Sequence, residues 1–158
     1  ETALGSIIFQ EYPFIEHIVM DGGSTDGSVE IIRKYGDRVA YWRSEPDEGQ
    51  SDALRRGFAM ATGEILAWIN SDDSLEPGAL ATVGEYFSLH PETDLVYGNM
   101  NFIDAEGKRL FTAYPVLDPR ILLYDNGFIP QQAERFGGQA FRGHIGLNQL
   151  GHNLTPSH

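Results

Sequence analysis

The chain has 158 residues, a formal net charge of −12 and no cysteine. Its length suits one domain with a core of its own, while its charge disfavours nucleic acid and anionic membranes, partners that select Lys/Arg clusters. The missing thiols exclude disulfides, thiolate metal sites and a cysteine nucleophile, and no apolar run approaches the roughly 20 residues of a membrane span. No basic-then-apolar leader is visible, and the start at Glu1 rather than Met is what a fragment would show.

In chain order, Ala3, Leu4, Ile7 and Ile8 have helical spacing, which stops before Tyr12-Pro13 because proline discourages continuation. IEHIVM, residues 15–20, is short and β-branched and predicts a strand. DGGSTDG, residues 21–27, is dense in turn formers, and Asp26 is placed to cap a helix over SVEIIRKYG with Gly36 as its terminator. VAYWRS predicts a second strand and EPDEGQ a loop. Gln50 or Ser51 then opens a helix with Ala53, Leu54, Gly57, Phe58 and Ala61 on its apolar face and Gly63 at its end.

EILAWI predicts a third strand, and Glu76-Pro77 the start of another helix, since proline suits the first helical position. Leu80, Val83, Phe87 and Leu89 form that helix's apolar stripe. DLVYGN predicts a fourth strand, and MNFIDAEGKRLFTAY a hairpin turning at Ala105-Glu106-Gly107-Lys108. Asp118-Pro119 caps a short helix, RILLY. From Glu134 onward glycines crowd together and helical periodicity is lost.

Strands alternating with helices predict an α/β fold, a mostly parallel sheet flanked by helices. Ligands of such sheets bind at the carboxyl ends of the strands. The polar clusters at 21–26, 45–50 and 70–73 each follow a predicted strand, so all three should gather along that edge. Asn70 and Asp72, two apart, would share a face at a strand end, leaving Asp73 in the turn. One or two carboxylates together with substrate phosphates is the usual way of holding Mg²⁺ or Mn²⁺. The same acids also fit a solvated turn that favours the N-terminus of the next helix.

Gly22 and Gly23 let backbone approach a ligand, and Asp21 can accept from a base N–H or a ribose hydroxyl, although a plain glycine turn needs no ligand. The dinucleotide and P-loop glycine patterns are absent, as is the G-x-S-x-G elbow. The five histidines have no zinc-site spacing. Trp42 and Trp68 fit core positions, and Pro130-Gln131-Gln132 fits a polar loop or a sugar contact.

In this order, QEYPFIEHIVMDGGSTDGSVEII, SEPDEGQSDALRRGFAMATGEILAWINSDD, DLVYGN and FIPQQA resemble glycosyltransferase family 2, with its GT-A fold. The resemblance implies a nucleotide-sugar-binding domain over residues 1–133, incomplete at both ends, and a divergent, poorly structured tail over 134–158. It begins inside what resembles the family's first helix, without the preceding strand and its loop. Arg55 stands where relatives of the GQSDAL type often carry Asn.

The resemblance also implies site residues. Asp21 would contact the nucleotide base, with Gly23, Ser24 and Gln50 beside it; Asn70 would reach the ribose, and Asp72 would ligate the metal, Mn²⁺ or Mg²⁺, with Asp73 as a second acid. A sugar would pass from a nucleoside-diphosphate donor, UDP favoured, to a hydroxyl of a glycan or lipid-linked acceptor in polysaccharide biosynthesis, with inversion. No residue here matches the family's catalytic base, so weak or no turnover is expected. The implied location is the cytoplasm, including the cytoplasmic membrane face as a peripheral protein. Two other classes remain open on these residues: a non-catalytic nucleotide- or metal-binding module, and a Mg²⁺-dependent phosphoryl-transfer enzyme using Asp21 and Asp72, for which no Lys or Thr partner stands at a recognisable spacing.

Overall fold

A computed structural model describes residues 1–114 and 132–135. Its elements are α1 (Thr2–Ile8), β1 (Ile18–Asp21), α2 (Ser28–Lys34), β2 (Tyr41–Ser44), α3 (Gln50–Met60), β3 (Ile65–Leu66), α4 (Ala79–Leu89), β4 (Leu95–Tyr97), β5 (Met100–Ile103), β6 (Arg109–Ala113) and β7 (Gln132–Arg135).

Apolar residues four apart fall on one helix face, and α4 follows this rule by burying Ala79, Val83 and Phe87. Phe87 is fully enclosed, in a cluster with Ile7 of α1, Leu75 and Val96 of β4. Truncating such a phenylalanine to alanine costs about 3–5 kcal/mol. Leu80 packs at the edge of this cluster, whereas Leu89 lies in solvent, so the stripe ends at Phe87. The helix does not start on Pro77: Gly78, at φ 80°, is the N-cap, a left-handed position that favours glycine.

On the other side of the molecule, β1 and β2 pair in parallel, from Ile18↔Tyr41 to Asp21↔Ser44. Helix α3 lies on β1 at Gly57, where an added Cβ would stand 3.3 Å from the Met20 Cγ. Asp26 accepts from the Ser28 N–H at 3.1 Å, one position ahead of the cap residue Gly27. Gly36 opens a short 3₁₀ turn, Gly36–Arg38, instead of closing α2 as a left-handed terminator.

β3 and β4 each pair antiparallel with β7, which lies between them, so β3 and β4 themselves run the same way. The expected sheet therefore has one antiparallel member, whose polar QAER sequence gave no strand signal. Gln132 belongs to this strand rather than to a polar loop, and the boundary drawn between 133 and 134 falls inside it. Pro130, Gln131, the short helix after Asp118-Pro119 and the rest of the tail lie outside the described residues. β5 and β6 form the expected hairpin, with Gly107 at φ 81° in its turn.

Candidate functional site

The first loop is organised by Asp21, the last residue of β1. Its Oδ2 accepts from the backbone N–H groups of Gly23 (3.1 Å) and Ser24 (2.9 Å) and from the Ser44 hydroxyl (2.6 Å), and its Oδ1 accepts from the Ser24 hydroxyl (2.6 Å). Partial desolvation pushes the carboxyl pKa up, but the hydrogen bonds of Ser24, Ser44 and Gly23 outweigh it and hold the group below its usual value. Asp21 is thus an ionised hub whose acceptor capacity goes largely to its own loop. Ser44 is a site residue that sequence reasoning missed; the available signal was that it ends β2 as Asp21 ends β1, in register with it.

The second loop closes on the first. Pro46 packs on Gly23, which sits at φ 86°, and the Asp47 carboxylate lies where a Cβ on Gly22 would be, 2.9 Å away. The two glycines therefore admit the chain's own second loop. The Glu45 N–H also donates to the Asp21 carbonyl at 3.0 Å.

Behind this loop, Arg56 bridges Glu45 and Asp52, while Arg43 pairs with Glu45. Arg55, at the position singled out in the sequence, pairs with Asp52 at 2.6 Å. Hydrogen bonding from Arg55, ahead of that from Arg56, lowers the Asp52 pKa.

The third loop differs from its expected form. The strand stops at Leu66, and Ser71-Asp72 make a turn closed by the Asp73 N–H on the Asn70 carbonyl at 3.2 Å. Asn70 and Asp72 therefore do not share a strand face; the side chains that meet are those of Asn70 and Asp73, Nδ2 to Oδ2 at 3.1 Å. The Asn70 Oδ1 accepts from the Gln50 Nε2 at 2.7 Å and from the Trp68 indole at 3.2 Å.

Asn70, the residue expected at the ribose, ties the third loop to the first residue of α3. Asp72 is exposed and makes no hydrogen bond or ion pair among the described residues. The turn is anchored from behind by the buried Leu75, whose N–H donates to the Ser6 hydroxyl of α1 at 3.0 Å.

The three loops thus meet along one edge, as their placement after strands predicts. Trp68 is half in the core, edge-on to Phe58, and half in the site through its indole N–H. Trp42 stays in β2 under Arg33. No group of three or more His, Asp or Glu among the described residues is arranged to hold a metal by itself. A cavity of about 190 Å³ lies at the opposite end of β1, lined by Ile7, Ile15, His17 and Arg38 among others; it is remote from these loops and has none of their acids.

The model for glycosyl transferase family 2 matches residues 1–145. A PGL/p-HBAD biosynthesis glycosyltransferase of Mycobacterium bovis is 38% identical over 104 residues, 63% of this chain and 40% of that protein. An uncharacterized glycosyltransferase of Mycobacterium tuberculosis is 43% identical over 75 residues, 47% of this chain and 29% of its own. In fold, the chain is similar to S. aureus TarS crystallised with UDP, at a TM-score of 0.62 and 23% identity, over 85% of this chain and 42% of that one. The chain spans about 40% of the first of these relatives. With the matched region running from α1 past β7, the chain belongs to glycosyltransferase family 2 and carries its GT-A type α/β fold.

Proposed function

We propose that this chain is the donor-binding portion of an inverting, metal-dependent glycosyltransferase that moves a sugar from a nucleoside-diphosphate donor, UDP favoured, to a hydroxyl of a glycan or lipid-linked acceptor. The observation that carries this reading is the meeting of three strand-end loops, with the Asp72 carboxylate of the third left uncommitted among the described residues. The UDP in the TarS structure and the glycosyltransferase names of the relatives support it.

The residues present fit Mn²⁺ or Mg²⁺ in the form these ions usually take. Asp72 and Asp73 would supply one or two protein ligands, with the donor diphosphate providing others. A dedicated three-ligand cage among the described residues is not needed for this. When bound, the cation supplies positive charge against the leaving diphosphate.

The chain's own residues bind and orient. Asp21 fixes the first loop, Asp47 and Pro46 hold the second against it, and Gln50 and Asn70 join the third. An acceptor hydroxyl needs a base to take its proton, and no residue here is assigned that task, so the chain by itself should give little or no turnover. No helix among the described residues is long and apolar enough to cross a membrane. The family resemblance, separately, is what leads us to propose the cytoplasm or its membrane face.

Calorimetric titration of the chain with UDP, with and without Mn²⁺, tests the reading. Binding that requires Mn²⁺ supports it. Equal affinity with and without the ion removes the metal from the proposal, and no affinity for any nucleoside diphosphate overturns the donor-binding role.

A further inference from the structure

Asn70 holds a side-chain arrangement whose polarity follows from its partners. An indole N–H only donates, so the Asn70 atom facing Trp68 at 3.2 Å is the oxygen. The Gln50 amide N–H donates to the same oxygen at 2.7 Å. With Oδ1 fixed from two sides, Nδ2 has to face the other way, and there it meets Asp73 Oδ2 at 3.1 Å. The backbone repeats the link, Asp73 N–H to Asn70 carbonyl at 3.2 Å, so Ser71 and Asp72 are held between two tied ends.

We infer that Gln50 and Trp68 are positioning residues: through the Asn70 carboxamide they orient Asp73 and set the aim of Asp72, before any ion or donor arrives. The inference rests on the donor-binding reading above and gives it a mechanism. A carboxylate at position 70 would face the Asp73 carboxylate across the same gap, and like charges at that distance repel unless a cation lies between them. The amide replaces that repulsion with a donor. The turn is therefore set without metal, at the cost of one anionic ligand. Gln50, which the sequence places among donor contacts, acts from the first residue of α3 on a loop 20 positions away.

The test uses the 158-residue chain in two measurements. In ¹H–¹⁵N spectra without ligand, Gln50→Ala should shift the Trp68 indole and Asn70 side-chain amide resonances while leaving the Trp42 indole in place. If both Trp68 and Asn70 resonances stay put, the clamp is overturned, whatever the chain binds.

In titrations with UDP and Mn²⁺, Gln50→Ala should weaken affinity about three- to tenfold in the natural background and leave it unchanged in an Asn70→Ala background, because contacts acting in series do not add. An equal loss in both backgrounds would make Gln50 a direct donor contact and overturn the inference. If the natural chain binds no nucleoside diphosphate, the donor-binding reading fails, and the spectra still decide whether the clamp exists.

Discussion

The two ends of β1 handle polar groups in opposite ways. Just before the strand, His17 is partly buried, with its Nδ1 enclosed and without a hydrogen-bond partner. At the far end, Asp21 keeps its charge because four donors converge on it. A buried polar atom without a partner costs free energy, and among the described side chains that cost falls at the end away from the acidic loops. Where three loops gather, Asp21, Asp47, Gln50, Asn70 and Asp73 all have hydrogen-bond partners, whereas Asp72 has none among the described residues. An unmatched group inside the fold is a burden on stability, whereas an unmatched group on the open edge is available to a ligand.

The largest expected effect tests the His17 end. Burial lowers the imidazole pKa from 6.5 to about 4. The unfolded chain therefore takes up a proton first as pH falls, and stability is intact above about 6.5 and lost on the way to about 4. A displacement of that size corresponds to about 3 kcal/mol. Urea unfolding at pH 7 and pH 4.5 should show most of this loss, and His17→Leu should flatten it. An equal decline in the variant would mean that other groups set the acid sensitivity.

At the other end, Asp21→Ala leaves two backbone N–H groups and two hydroxyls without their shared acceptor, and should cost about 2 kcal/mol of stability in the same unfolding experiment. The folded carboxyl sits below its usual value, so this contribution is present above about pH 4 and disappears as pH falls through the folded pKa. A change of a few tenths would show that water replaces the carboxylate without difficulty, and the contrast between the two ends would fail.

Asp72→Ala sharpens the contrast from the opposite direction. It should leave stability within about 0.5 kcal/mol of the natural chain, as surface substitutions do, yet weaken Mn²⁺-dependent UDP binding about tenfold or more, the equivalent of about 1.4 kcal/mol. Loss of stability with unchanged affinity would reverse its assigned role. The smallest effect belongs to Ser44→Ala, which removes one of the four donors on Asp21 and should cost about 1 kcal/mol in urea unfolding.

The position of the site was legible in the sequence because two simple signals coincide in it. Each polar cluster follows a β-branched or aromatic run, and each contains Asp together with Gly or Ser, residues that let a chain turn. The links between clusters were not legible. Gln50 and Asn70 lie 20 residues apart, and nothing in either segment announces the other.

The face shared by Asn70 and Asp72 was misjudged for a physical reason. The alternation rule applies only while the chain is extended, and the strand ends at Leu66, four residues before Asn70. The helix after Pro77 begins later than expected because Gly78 can adopt a left-handed cap at no steric cost. β7 escaped notice because its role depends on two neighbours, β3 and β4, rather than on its own polar residues.

The absent side chain at Gly57 reaches further than its own contact. Gln50 stands seven residues up the same helix, about 10 Å along its axis. A methyl at position 57 would press on Met20, and a stiff rod pushed at one point swings at its tip. The helix then works as a lever with its fulcrum on β1, and the bond between Gln50 and Asn70 sits at the end that travels farthest. A mutation that alters only an apolar contact would in this way change the bond between Gln50 and Asn70, with neither residue replaced.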